Sequence, residues 1–190
     1  MTPTRLFLAA SALPAALALS ACGGGTPDSQ PAANDATTAA VTETPQVAMA
    51  TLSTADGTDA GTVTVTGRGR DIVVAVTAAG MTPGDHGVHI HATGKCEGPK
   101  FETAGSHWNP TGAKHGLSNP QGQHHGDMPN LTIGGDGTGQ MEYTIEGTSV
   151  SEMLDADGAA FVIHADADDQ MTDPSGESGD RVACGVFGIS

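Results

Sequence analysis

The chain has 190 residues, 37% hydrophobic, 3% aromatic and 15% charged, with 27 glycines and 11 prolines, which suits one small glycine-rich domain. With 22 acidic residues against 7 Lys and Arg, a formal charge of −15 and no basic cluster, it repels phosphate backbones and anionic lipid, which excludes a nucleic-acid partner. Val and Thr in short alternating runs, in place of Leu, Glu, Lys and Ala at helical spacing, exclude a helical bundle and predict an all-β fold.

Residues 1–21 carry one positive charge at Arg5, an apolar stretch broken by Pro14 and then small residues. This is the pattern of a secretory signal, too short for a mature membrane span. Leu19-Ser20-Ala21-Cys22 resembles the bacterial lipobox, which implies cleavage before Cys22, acylation of its thiol and attachment to a membrane through lipid. Gly23 is not the aspartate that commonly retains lipoproteins at the inner membrane, so the expected location is the cell envelope, on the outer membrane facing the periplasm. Residues 22–45 are Gly, Ala, Thr, Pro, Asp and Gln with almost no large apolar side chain and read as a flexible tether. With Cys22 lipidated, Cys96 and Cys184 remain as an even pair in an oxidising compartment, which predicts one disulfide within the domain 46–190.

Past the tether, Val47 to Ser53, Gly61 to Arg68 and Arg70 to Ala78 alternate or run apolar as strands do, with a hairpin turn at Gly67 to Asp71. Further strands are predicted at Gly87 to Ala92, Leu131 to Gly134, Gln140 to Gly147, Ala160 to Ala165 and Arg181 to Phe187, with a turn at residues 134–137. Eight short strands favour a Greek-key sandwich or barrel. Two stretches lack periodicity: residues 93–130, far longer than a hairpin loop, and residues 166–180. Both border strands that carry histidines.

Seven of the 8 histidines lie between His89 and His164. In Val88-His89-Ile90-His91 the period of two sends Val88 and Ile90 to one face and both histidines to the other, where two imidazoles can share one metal. The long loop adds His107, His115, His124, His125 and Asp127; a carboxylate beside several imidazoles suits zinc. His164, at a strand end with Asp166, Asp168 and Asp169 just beyond, is a third strand histidine and points towards copper or a similar metal. Asn130-Leu131-Thr132 fits a glycosylation pattern, which is discarded for a chain with a bacterial lipoprotein signal.

Taken in order, His89-Ile90-His91, Gly105-Ser106-His107-Trp108-Asn109-Pro110, Lys114-His115-Gly116, His124-His125-Gly126-Asp127, Val162-Ile163-His164 with Asp168, and Gly179-Asp180-Arg181-Val182-Ala183-Cys184-Gly185-Val186 resemble the copper,zinc superoxide dismutase family over about residues 46–190. The resemblance implies an eight-stranded immunoglobulin-like Greek-key sandwich with a long metal-binding loop and a second active-site loop. It implies one copper on His89, His91, His107 and His164, one zinc on His107, His115, His124 and Asp127, and superoxide as substrate. His107 is then shared as an imidazolate, which only histidine can supply. Asp168 would link a copper ligand to a zinc ligand, and Arg181 would orient the anion beside copper. His124 is favoured over His125 by the spacing to Asp127, His125 is expected at the surface, and His86 is expected as a solvated loop residue. A homodimer is admissible, since this family pairs through different surfaces in different lineages. The second loop holds several acids and no lysine, which implies weak electrostatic focusing of the substrate.

Overall fold

In a computed structural model the described residues are 45–190; the signal at 1–21, the lipidation site Cys22 and nearly all of the tether lie outside them. Ten strands are present there: β1 (Val47–Thr54), β2 (Asp59–Arg68), β3 (Asp71–Ala78), β4 (Gly84–His86), β5 (Val88–His91), β6 (Leu131–Ile133), β7 (Gly139–Ile145), β8 (Ala160–His164), β9 (Arg181–Val186) and β10 (Gly188–Ile189). One helical turn, α1 (Val150–Met153), and a 3-10 turn at Glu102–Ala104 complete the secondary structure. No helix among the described residues is long and apolar enough to cross a membrane.

The main sheet is antiparallel in the order β5-β8-β9-β1-β2-β3-β7, with β10 added to β1, while β4 and β6 form a separate pair. β1, β2 and β3 follow one another as neighbours and the late strand β9 returns beside β1, which is Greek-key connectivity. Val74 and Val76 of β3 share one apolar cluster with Phe161 and Ile163 of β8, so the sheet curls round a common core as a half-barrel. The expected eight strands are all found; β4 and β10 are additional, each too short to leave a periodic signal. Between Arg68 and Asp71 the hairpin turns on Gly69, whose φ of +68° a side chain would strain. The missed α1 opens on an N-cap: Ser149 Oγ accepts from Glu152 N at 3.2 Å and donates to Glu152 Oε2 at 2.9 Å.

β8 is buried at all five positions. Phe161 and Ile163 enter the main core, while Ala160 and Val162 face a second cluster with Phe101, Ala104 and Cys184 under the long loop. Cover on both faces is why the strand reads Ala-Phe-Val-Ile without alternation. The loop is thereby packed onto the outside of the sheet, over the strand ends that carry histidines.

Candidate metal centre

On β5, Val88 and Ile90 enter the main core, as the period of two predicts. His89 and His91 point the other way, yet both are fully buried, because the two loops cover that face. Short antiparallel bridges His91–His107 and His89–Asp127 stitch the long loop onto β5. Gly126 allows this approach, since a Cβ there would stand 2.2 Å from Ile90 O. His164 ends β8, where the register with β9 shifts and His164 pairs with Arg181.

Two groups of ligand atoms converge. In the first, His89, His91, His107 and His164 each offer an atom, all within 4.8 Å of one another. The buried nitrogens His89 Nδ1, His91 Nε2, His107 Nε2 and His164 Nε2 have no hydrogen-bond partner. Four orphaned imidazole nitrogens facing one point suit a metal bound at about 2 Å per ligand, and leaving them unpaired would cost free energy. In the second group, Asp127 Oδ1 stands 3.0 Å from His107 Nδ1, 3.0 Å from His115 Nδ1 and 3.3 Å from His124 Nδ1, and the nitrogens of His107 and His124 are 3.5 Å apart. A tetrahedral ion bonded at 2.0–2.1 Å sets its ligands about 3.3 Å apart, so this donor set fits such an ion. His89 also falls within 4.8 Å of His107, His115 and Asp127, but its Nε2 is engaged by Asp168, which leaves its Nδ1 to the first group. His107 thus serves both groups, one ring nitrogen in each.

The outer atoms are fixed by neighbours. His89 Nε2 donates to Asp168 Oδ2 at 2.7 Å and His115 Nε2 to Asp168 Oδ1 at 3.0 Å, so one carboxylate links the two groups. His91 Nδ1 donates to Gly105 O and His164 Nδ1 to Gly179 O. Such bonds choose the tautomer and aim the free nitrogen. Asp127 Oδ2 accepts from the backbone N–H groups of Gly116 and His124. Gly176, at φ +64°, presses directly on this mesh: a Cβ there would stand 1.8 Å from Asp168 Oδ1.

Burial pushes His89 down to about 3 and His164 to about 4, and lowers His91 and His107 as well. These imidazoles are neutral at pH 7, the form that donates a lone pair to a metal. Burial also works against the charge on His115, but hydrogen bonds to Asp127 and Asp168 outweigh it and raise this residue to about 9. Burial raises the two carboxylates, while hydrogen bonds from His107 and His115 to Asp127, and from His115 and His89 to Asp168, bring both well below the ordinary carboxylate range.

Arg181 lies at the same end of the sheet. Its guanidinium donates to Phe101 O and Gly105 O, each at 2.7 Å, which fixes the plane and leaves other N–H groups free. The loop that supplies both carbonyls is tied to β9 by the Cys96–Cys184 disulfide, as the cysteine pairing predicts.

Two histidines depart from expectation. His86 is buried on β4, not a solvated loop residue: Nδ1 lies 2.6 Å from His164 O and Nε2 2.8 Å from Thr82 O. No sequence period marked it, because β4 has only three residues. His125 is half-buried, not a free surface group: its ring packs edge-on against Trp108, with centroids 5.2 Å apart, away from the ligand groups. Sequence reasoning missed Asn130, whose discarded glycosylation triplet conceals a structural role. Its side chain accepts from Asp168 N at 2.8 Å and donates to Asp168 O at 2.9 Å. Asn130→Ala is expected to weaken metal affinity roughly 10-fold through a looser Asp168; chelator competition reads this, and unchanged affinity would refute it.

Residues 59–187 match the family model described as copper/zinc superoxide dismutase. A superoxide dismutase [Cu-Zn] of Caulobacter vibrioides is 40% identical over 147 residues, covering 74% of this chain and 84% of that protein. A superoxide dismutase-like protein of Bacillus subtilis is 42% identical over 120 residues, or 60% of this chain, and the aligned stretch spans only 61% of that relative. Among solved structures, a SOD-like protein from Bacillus subtilis superposes with TM-score 0.69 at 38% identity, covering 73% of this chain and 96% of the other. The Cu/Zn superoxide dismutase from Brucella abortus gives 0.62 at 27% identity, covering 74% and 98%. With two groups of ligand atoms that could hold a metal ion and a family model that spans most of the chain, this protein belongs to the copper/zinc superoxide dismutase family.

Proposed function

We propose that this protein is a superoxide dismutase that binds one copper on His89, His91, His107 and His164 and one zinc on His107, His115, His124 and Asp127. The observation that carries this is the pair of donor sets meeting at His107, four orphaned nitrogens on one side and a carboxylate-centred set on the other. When bound, copper supplies the one-electron couple that zinc, with its single oxidation state, does not. Overall, two superoxide anions and two protons become dioxygen and hydrogen peroxide.

The chain's own groups do the rest. Arg181 presents a fixed cation whose remaining N–H donors face an incoming anion. His107 Nε2 takes up a proton in one half of the cycle and returns it in the other, while Nδ1 stays against Asp127. Asp168 keeps His89 and His115 in one tautomer throughout. The signal-like residues 1–21 and Cys22 support export and lipid anchoring, which would place this activity at the cell envelope against superoxide arriving there.

The direct test is elemental analysis of the purified chain beside a superoxide assay. About one copper and one zinc per chain with turnover is expected from full ligand sets; full metal content without turnover would favour a metal carrier on the same fold. Charge gives a further prediction. The second loop has no lysine, Lys114 is neutralised by Asp173, and Lys100 stands opposite Glu102. Added salt should therefore raise the second-order rate or leave it level, since screening removes repulsion from a net-negative protein. A steep fall between about 0.01 and 0.2 M salt would show strong positive focusing instead.

A further inference from the structure

Asp173, on the second loop, holds the long loop with both carboxylate oxygens. Oδ1 accepts the backbone N–H of His115 at 2.9 Å and stands 3.9 Å from His124 Nε2; Oδ2 accepts from Lys114 Nζ at 2.9 Å. One loop therefore grips His115 twice, at its main chain through Asp173 and at ring Nε2 through Asp168. Holding both ends of a residue fixes the direction of the ring nitrogen between them, here Nδ1 towards Asp127. The turn that presents Asp173 is braced internally, with Asp169 Oδ1 accepting from Met171 N and Thr172 N and Thr172 O accepting from Gly176 N.

We propose that Asp173 is a positioning residue for the zinc set, clamping the main chain of His115 so that its Nδ1 faces Asp127. This rests on the reading of His107, His115, His124 and Asp127 as a zinc site. An ordinary surface ion pair with Lys114 is the competing account, and at 55% and 37% side-chain exposure such a pair contributes little. The two accounts differ in which oxygen matters.

In the full chain loaded with zinc, transfer of zinc to a chelator is followed for the wild type, Asp173→Ala, Asp173→Asn and Lys114→Met. Asp173→Ala is expected to release zinc about 10-fold faster. Asp173→Asn, which retains an Oδ1 acceptor for His115 N–H, should recover most of the loss. Lys114→Met should stay within about twofold of the wild type. Cobalt substituted for zinc gives a second reading: its ligand-field absorption should change in Asp173→Ala and not in Lys114→Met, while unfolding of the metal-free chain matches the wild type. Wild-type zinc retention in Asp173→Ala, an equal loss in Lys114→Met, or a loss tracking metal-free stability would overturn the clamp. A wild-type chain that takes up no zinc would overturn the zinc site itself and the clamp with it.

Discussion

Replacing His107 with alanine should lower dismutation more than about 100-fold, beyond the 10–100-fold loss typical when only an outer partner of a ligand is removed. The substitution takes one nitrogen from each donor set at once, so copper and zinc content should fall together. It also empties the space beside His89, on which the His107 ring stacks at 3.9 Å between centroids. His164→Ala makes the informative comparison, because His164 belongs to the first group alone and its loss should spare zinc. Elemental analysis beside the superoxide assay decides the matter. A His107→Ala chain that kept its zinc and its full rate would contradict the shared ring.

The double change Cys96→Ser and Cys184→Ser should destabilise the metal-free protein by roughly 4–5 kcal/mol, the chain-entropy value for a crosslink of sequence separation 88. For a domain of this size that corresponds to a melting temperature lower by about 10–15 °C. Calorimetry of the oxidised, reduced and double-serine proteins measures it, and a shift of only a few degrees would show that packing, not the crosslink, holds the loop. Activity should suffer too. Phe101, whose carbonyl orients Arg181, lies in the small apolar cluster that the disulfide anchors to β9, so loosening that cluster frees the guanidinium to rotate.

Strands and candidate ligands were legible in the sequence for different reasons. Val63 and Val65 against Thr62, Thr64 and Thr66 announce β2 because one face of that strand meets the core and the other is more open. His89 and His91 are legible by the same alternation, although their face is dry and not solvated. What escaped the sequence depends on contacts between distant segments. Asn130 acts through its amide on the backbone of Asp168, Asp173 through the backbone of His115, and His86 through a carbonyl at the end of β8. A side chain that bonds to main chain leaves no pattern in the identity of its partner. The N-cap at Ser149, with Glu152 three residues on, is the exception, since that signal is local and was there to be read.

The carboxylate of Asp168, bonded to a ring in each donor set, has an implication for loading. On the proposed two-metal reading, an ion bound in either set would hold that carboxylate and the common imidazole, so the second ion would meet partners already aimed. Any such coupling would be reciprocal, each ion altering the affinity of the other by the same factor. On that reading, titration with either ion should then favour filled over half-filled molecules, and independent filling of the two sets would count against the link through Asp168.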